Sequence, residues 1–263
     1  MSRPRRRTPL LVAAAAACAV AFFALPLVGI VQRADWSSIW SDLSSEQARS
    51  ALRLSMLCSF AAAGLSVVFG TPLAWVLART DVPARSLLRG LVLLPMVLPP
   101  VVGGVALLAA FSIRSPIGGW LHDVFGIQLT FSTAGAVMAE TFVAMPFYVI
   151  AVEAALRTMD QRYETAAASL GAGPVTVFRR VTLPLIAPAV ASGAVLAWAR
   201  ALGEFGATIT FAGNIADRTQ TLPLAVYLEL QSDPDAAIAM SLVLLLVSLL
   251  VLVGLRDRWL DRT

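Results

Sequence analysis

The 263-residue chain contains no lysine, and all twenty of its basic residues are arginine. A phosphate loop of the form Gly-x4-Gly-Lys-Ser/Thr needs a lysine ammonium at the phosphates, so this chain cannot build one. If ATP drives the protein, the nucleotide sits on a partner. Histidine is almost as scarce: His122 stands alone in a short polar link, without a second ligand nearby, and is read as a surface residue. The two cysteines, Cys18 and Cys58, fall inside apolar runs, where a thiol acts as a small buried hydrophobe. No disulfide, metal centre or cofactor is expected. The apolar stretches also lack any Ser/His/Asp set or His/Glu cluster, which removes the common intramembrane hydrolase designs and leaves no catalytic residue to name. Charged residues make up only 14% of the chain, against about 25% in an ordinary soluble domain.

What the chain has instead is apolar length. It is 58% hydrophobic with a mean hydropathy of +0.79. Six stretches approach the roughly 20 apolar residues that cross a bilayer as a helix. They are 10–31, 54–78, 87–111, 133–156, 186–210 and 236–255. Strand-type alternation is missing, so an all-α membrane protein of six transmembrane helices is expected rather than a barrel. No linker divides the chain, and residues 1–263 read as one membrane domain. Arg3, Arg5, Arg6 and Arg7 precede the first stretch, which at 22 residues exceeds the roughly 7–15 of a secretory signal core. An uncleaved first span is therefore expected.

Arginine placement orients the spans. With the N-terminus cytoplasmic, the cytoplasmic pieces hold fourteen arginines: the four above, Arg79, Arg85, Arg89, Arg157, Arg162, Arg179, Arg180, Arg256, Arg258 and Arg262. The outer pieces hold five, Arg33, Arg49, Arg53, Arg114 and Arg218, while Arg200 lies within a span. Both termini and the 157–185 segment then face the cytoplasm. The arginines form no continuous basic stripe, which speaks for a membrane surface and against nucleic acid. Trp36, Trp40, Trp120 and Trp259 sit beside spans, as interfacial anchors or packing aromatics do.

The segment Tyr163–Pro184 suits neither lipid nor a tight turn. Tyr163 to Leu170 forms a short helix in which Ala166, Ala167 and Ala168 permit close approach of another surface. Gly171-Ala-Gly173 supplies a turn, and Pro174 opens a second helix. Val177, Phe178 and Val181 make an apolar stripe at helical spacing, with Arg179 and Arg180 facing elsewhere, and Leu183-Pro184 ends the helix. On periodicity alone, docking to a protein and lying on lipid headgroups fit equally well.

This pattern resembles the cytoplasmic signature loop of importer-type ABC transporter permeases, Glu-Ala-Ala-x3-Gly-x9-Ile-x-Leu-Pro. Ala166, Ala167, Gly171, Val181, Leu183 and Pro184 match in register, while Thr165 holds the glutamate position and Glu164 precedes it. Gly70-Thr-Pro-Leu-Ala-Trp-Val-Leu-Ala-Arg79, Leu94-Pro-Met-Val-Leu-Pro-Pro-Val-Val-Gly103, Val143-Ala-Met-Pro-Phe147 and Ala199-Arg-Ala-Leu-Gly-Glu-Phe-Gly-Ala-Thr208, continuing to Ala212-Gly-Asn-Ile215, are similar to the molybdate and sulfate branch of that family. The stretch from Arg218 to Tyr227 is more like the molybdate members. The resemblance implies a permease for molybdate, with sulfate, thiosulfate or tungstate as alternatives. It also implies two cytoplasmic ATPase subunits, an external oxyanion-binding protein, pairing with a second copy in the lipid membrane, and an ATPase-coupling role for Glu164, Ala166, Ala167, Gly171, Phe178, Val181, Leu183 and Pro184. A self-contained channel or membrane scaffold is the rival of another class.

Within the spans, Arg200 and Glu204 are spaced by four and so share a helical face. An isolated charge at mid-span costs about 2.5–3.5 kcal/mol on insertion scales, so pairing is expected. An internal clamp and a place beside an anion path both fit. Ser192, Thr141 and Thr208 offer hydroxyls either to a passing oxyanion or to neighbouring helices. Glu140 reads as a snorkelling or inter-helix group, since a carboxylate repels a dianion.

Overall fold

The computed structural model describes residues 9–260, and every regular element among them is helical. Arg3, Arg5, Arg6, Arg7 and Arg262 lie outside those residues, as do the side chains of Leu252 and of residues 255–260, among them Arg256, Arg258 and Trp259. The first helix, α1 (Leu10–Arg33), buries none of its side chains. A short helix, α2 (Ile39–Leu43), leads to α3 (Glu46–Arg79), whose N-terminus Ser45 caps by accepting from Ala48 N at 3.2 Å.

The expected third span is not one helix. It divides into α4 (Arg85–Val97) and α5 (Pro100–Phe111), and the chain turns through 119° between them. Pro99 and Pro100 offer no N–H groups, while Pro100 suits the first turn of the new helix. Next comes α6 (Pro116–Phe125), where Ser115 accepts from Gly118 N at 3.0 Å. His122 therefore sits on an exposed helical face, not in a loose link. The central helix, α7 (Thr133–Thr158), is capped by Ser132, which accepts from Gly135 N at 3.1 Å.

Two short helices, α8 (Arg162–Ser169) and α9 (Pro174–Val177), precede a π-helical turn at Phe178–Thr182 that runs directly into α10 (Leu183–Leu202). The fifth expected span, 186–210, is thus interrupted. After Gly203-Glu204-Phe205 the chain restarts as α11 (Gly206–Phe211). The last described elements are α12 (Leu222–Ser232) and α13 (Pro234–Leu260).

The core lies where α3, α7 and α10 pack together, on Leu77, Val149, Val152, Leu156, Ile186 and Ala197. Small residues let these backbones approach, as membrane helices require in the absence of a hydrophobic drive between them. Tyr148 is the wedge. It is fully buried, its hydroxyl lies 2.6 Å from Thr71 Oγ1, and a Cβ on Gly70 would meet its ring at 2.7 Å. Gly193 of α10 receives the other side of the same ring. Between α3 and α10, Trp198 Nε1 donates to Ser59 Oγ at 3.0 Å and the indole stacks on Phe60. Elsewhere α5 and α11 interlock: a Cβ on Gly104 would meet Thr210 at 2.6 Å, and one on Gly206 would meet Pro100 at 2.8 Å.

Candidate functional site

Two loci hold the residues singled out in the sequence. The first is the segment after α7. Helix α8 ends in a Schellman turn: Ala172 N donates to Ala167 O at 3.1 Å and Gly171 N to Ala168 O at 2.9 Å. Gly171 sits at φ +86°, which a side chain would strain. Past this turn α9 does not stop at Leu183-Pro184, contrary to the stop read from the sequence. A π turn carries one extra residue, so Leu183 N donates to Phe178 O and the ring of Pro184 meets no helix break. From Pro174 to Leu202, α9, the π turn and α10 are one continuous helical rod.

The stripe read at helical spacing turns inward, with Arg179 and Arg180 exposed. Val177 and Phe178 line a groove of about 960 Å³ against Thr71, Trp75 and Arg79 of α3. Phe178, Val181 and Leu183 are half-buried, while Ala166, Gly171 and Pro184 are exposed and Ala167 is partly so. The apolar side chains that stand outward are Leu170, 90% exposed, together with Tyr163 and Val175. Leu170 sits at the Schellman turn and Val175 in the first turn of α9, so their exposure depends on loop geometry that periodicity does not reveal.

Glu164 points inward. Its Oε1 accepts from Thr182 Oγ1 at 2.6 Å, and its Oε2 lies 3.5 Å from Arg79 Nη2. The same Nη2 donates to Met159 O at 3.4 Å, and the Arg79 side chain is only 7% exposed. Neither Arg79 nor Thr182 stood out in the sequence as part of this site. Arg79 registered in the charge count and as the end of the matched stretch Gly70–Arg79, with no role attached, and Thr182 only as a position between two matched residues. Nearby, Glu153 of α7 is buried between Arg157, at 2.7 Å, and Arg89 of α4, at 3.6 Å.

The second locus is the break between α10 and α11. Glu204 is buried and does two things: Oε1 accepts from Ala207 N at 2.8 Å, and Oε2 holds Arg200 Nη2 at 2.6 Å. A carboxylate at a helix N-terminus satisfies a free N–H and the positive end of the dipole together. Arg200 keeps 27% of its side chain exposed. Thr208, in the first turn of α11, is buried with no partner for Oγ1. The other two hydroxyls are spent locally: Ser192 donates to Ala189 O at 3.2 Å and Thr141 to Val137 O at 2.6 Å. Thr141 lines an apolar cavity of about 790 Å³ with Phe69, Leu107 and Phe142. Glu140 is fully buried in α7 and does not snorkel.

The family model of binding-protein-dependent transport system inner membrane components matches residues 70–262. The chain is 51% identical over 239 residues to the molybdenum transport system permease protein ModB of Mycobacterium tuberculosis, covering 91% of this chain and 90% of that one. It is 37% identical to the sulfate transport system permease protein CysT of Salmonella typhimurium, covering 88% of this chain and 84% of that one. Among solved structures, a bacterial ABC transporter involved in the import of the acidic polysaccharide alginate gives a TM-score of 0.73 at 18% identity, covering 96% of each chain. At that identity the likeness is one of fold.

Proposed function

Since the chain belongs to the family of binding-protein-dependent transport system inner membrane components, we infer that it is the permease subunit of an ATP-driven ABC importer that carries molybdate across the cytoplasmic membrane. The greater likeness to a molybdenum permease than to a sulfate permease is the observation that carries the anion. Sulfate and tungstate are the competitors to test.

In this reading ATP is hydrolysed on two cytoplasmic partner subunits, because the chain has no lysine with which to form a phosphate loop. An external binding protein delivers the anion, and two copies of the chain form the pore. The termini and the α8–α9 segment face the cytoplasm. Leu170, Val175 and Tyr163 give α8 and α9 the exposed apolar face that a protein groove would cover. Ala166, Ala167 and Gly171 shape that face, and Phe178, Val181, Leu183 and Pro184 carry its movement into α10. Arg200 stands beside the path, where its part-exposed guanidinium favours an anion, and Glu204 holds it there. Thr208 supplies a hydroxyl beside it, and Ser192 and Thr141 lie further along.

The test is reconstitution. The chain, its ATPase and its binding protein, placed in liposomes, should take up radiolabelled molybdate only with ATP, with tungstate competing better than sulfate. Uptake by the lone chain would point to a self-contained channel and overturn the reading.

A further inference from the structure

We propose that Arg79 is the joint through which α8 moves the membrane helices, and that Glu164 serves this joint rather than the ATPase. The inference rests on the reading of α8 and α9 as the ATPase-facing segment. The Arg79–Glu164 pair joins four elements: three meet at the guanidinium and the fourth at the carboxylate. Arg79 is the last residue of α3, and its Nη2 reaches Met159 O, at the C-terminal end of α7, at 3.4 Å. The same atom lies 3.5 Å from Glu164 Oε2 in the first turn of α8. Glu164 Oε1 in turn takes the hydroxyl hydrogen of Thr182 at 2.6 Å, where the π turn enters α10.

Thr182 shows how the link is made. A threonine at the head of a helix usually turns its hydroxyl on that helix's own N–H groups. Here α9, the π turn and α10 are continuous, no N–H groups are left free, and the hydroxyl reaches eighteen residues back to Glu164 instead. The segment is tied covalently at both ends, from α7 through residues 159–161 into α8 and from α9 into α10. Glu164 and Arg79 add a third tie, from α8 into α3. With all three in place α8 and α9 move as one body with α3, α7 and α10. Without the third, α8 can shift while α3 stays behind. Arg79 is 7% exposed, so a lost partner is not replaced freely by water.

The readout is the number of ATP molecules hydrolysed per molybdate imported by the purified, reconstituted complex. Arg79→Glu and Glu164→Arg should each raise that ratio by roughly threefold or more, the scale on which changes along a coupling network act. The double exchange should bring it back toward the parent value. A ratio that stays at the parent value in both single variants overturns the proposal, as does an equal fall in hydrolysis and uptake. Where a reversed charge prevents assembly, Glu164→Gln carries the same test by removing the charge that faces Arg79 while keeping an acceptor for Thr182: a raised ratio supports the joint, and an unchanged ratio refutes it. If the parent complex itself fails to bind the ATPase, the reading of the segment has failed, and that is a separate result.

Discussion

At the residue scale, the cost of a side chain is set by what already fills its place. Gly64 and Gly70 lie on the same helix, yet a Cβ on Gly64 meets nothing within 4 Å, while one on Gly70 meets the Tyr148 ring at 2.7 Å. That ring cannot retreat, because Gly193 of α10 confines its other side and its hydroxyl is held by Thr71. Gly70→Ala should therefore destabilise the fold by about 1–3 kcal/mol, as overpacking does. Gly64→Ala should leave stability unchanged or raise it slightly, alanine being the better helix former. Thermal unfolding of the purified chain in detergent checks both, and equal melting points would refute the wedge. The Arg200–Glu204 pair makes a second contrast. Glu204→Ala removes both the cap on Ala207 N and the partner of Arg200, leaving a charge whose burial costs about 2.5–3.5 kcal/mol on insertion scales. Its yield of assembled protein should fall. The double variant Arg200→Gln with Glu204→Gln carries no such charge and keeps an acceptor for Ala207 N, so it should assemble but import slowly. Import at the parent rate per assembled complex would reduce the pair to a clamp.

At the element scale, the Schellman turn between α8 and α9 aims the exposed apolar face. Gly171 has open space around it, so only its φ of +86° resists a side chain, and Gly171→Ala strains that position by roughly 1–2 kcal/mol. Gly173 is just as uncrowded but has φ −68°, so Gly173→Ala should be silent. Co-purification with the ATPase should weaken for the first and hold for the second. If both hold equally, the turn does not aim the docking face. These elements also mark what one sequence can tell. The long helices α3 and α7 were legible from unbroken apolar length, though α3 begins at Glu46, ahead of the apolar stretch that opens at 54, because a Ser45 cap and polar residues extend it. The interruption at Gly203–Phe205 was not, since Leu202, Phe205 and Ala207 keep hydropathy high across it and the break is set by one carboxylate capping backward. A π turn leaves no mark on apolar spacing, so Leu183-Pro184 read as a stop. The motif positions of the α8–α9 segment were visible, but the pairing of Glu164 with Arg79 joins residues 85 apart, and local periodicity carries no such information.

At the scale of the whole molecule, the bent pair α4–α5 decides which side every later segment faces. By length α4 spans about 20 Å and α5 about 18 Å at 1.5 Å per residue, so neither alone crosses a hydrocarbon core of about 30 Å. A turn of 119° between them fits a folded crossing or a loop that returns to the side it left. Charge separates the two. Counted as one crossing, the pair leaves fourteen arginines on the side of the N-terminus and five on the other. Counted as a return, it moves Arg114 and Arg218 to the first side and sends Arg157, Arg162, Arg179, Arg180, Arg256, Arg258 and Arg262 across, giving nine against ten. Short loops with no arginine bias would leave the chain without an orienting signal, so the pair should cross. Asp123 and Thr165 are both exposed and follow the pair on opposite faces. In a background with Cys18 and Cys58 replaced by alanine, a membrane-impermeant maleimide should label Asp123→Cys in intact cells, and Thr165→Cys only once the membrane is opened. A returning pair reverses the result, with Thr165→Cys labelled from outside and Asp123→Cys protected.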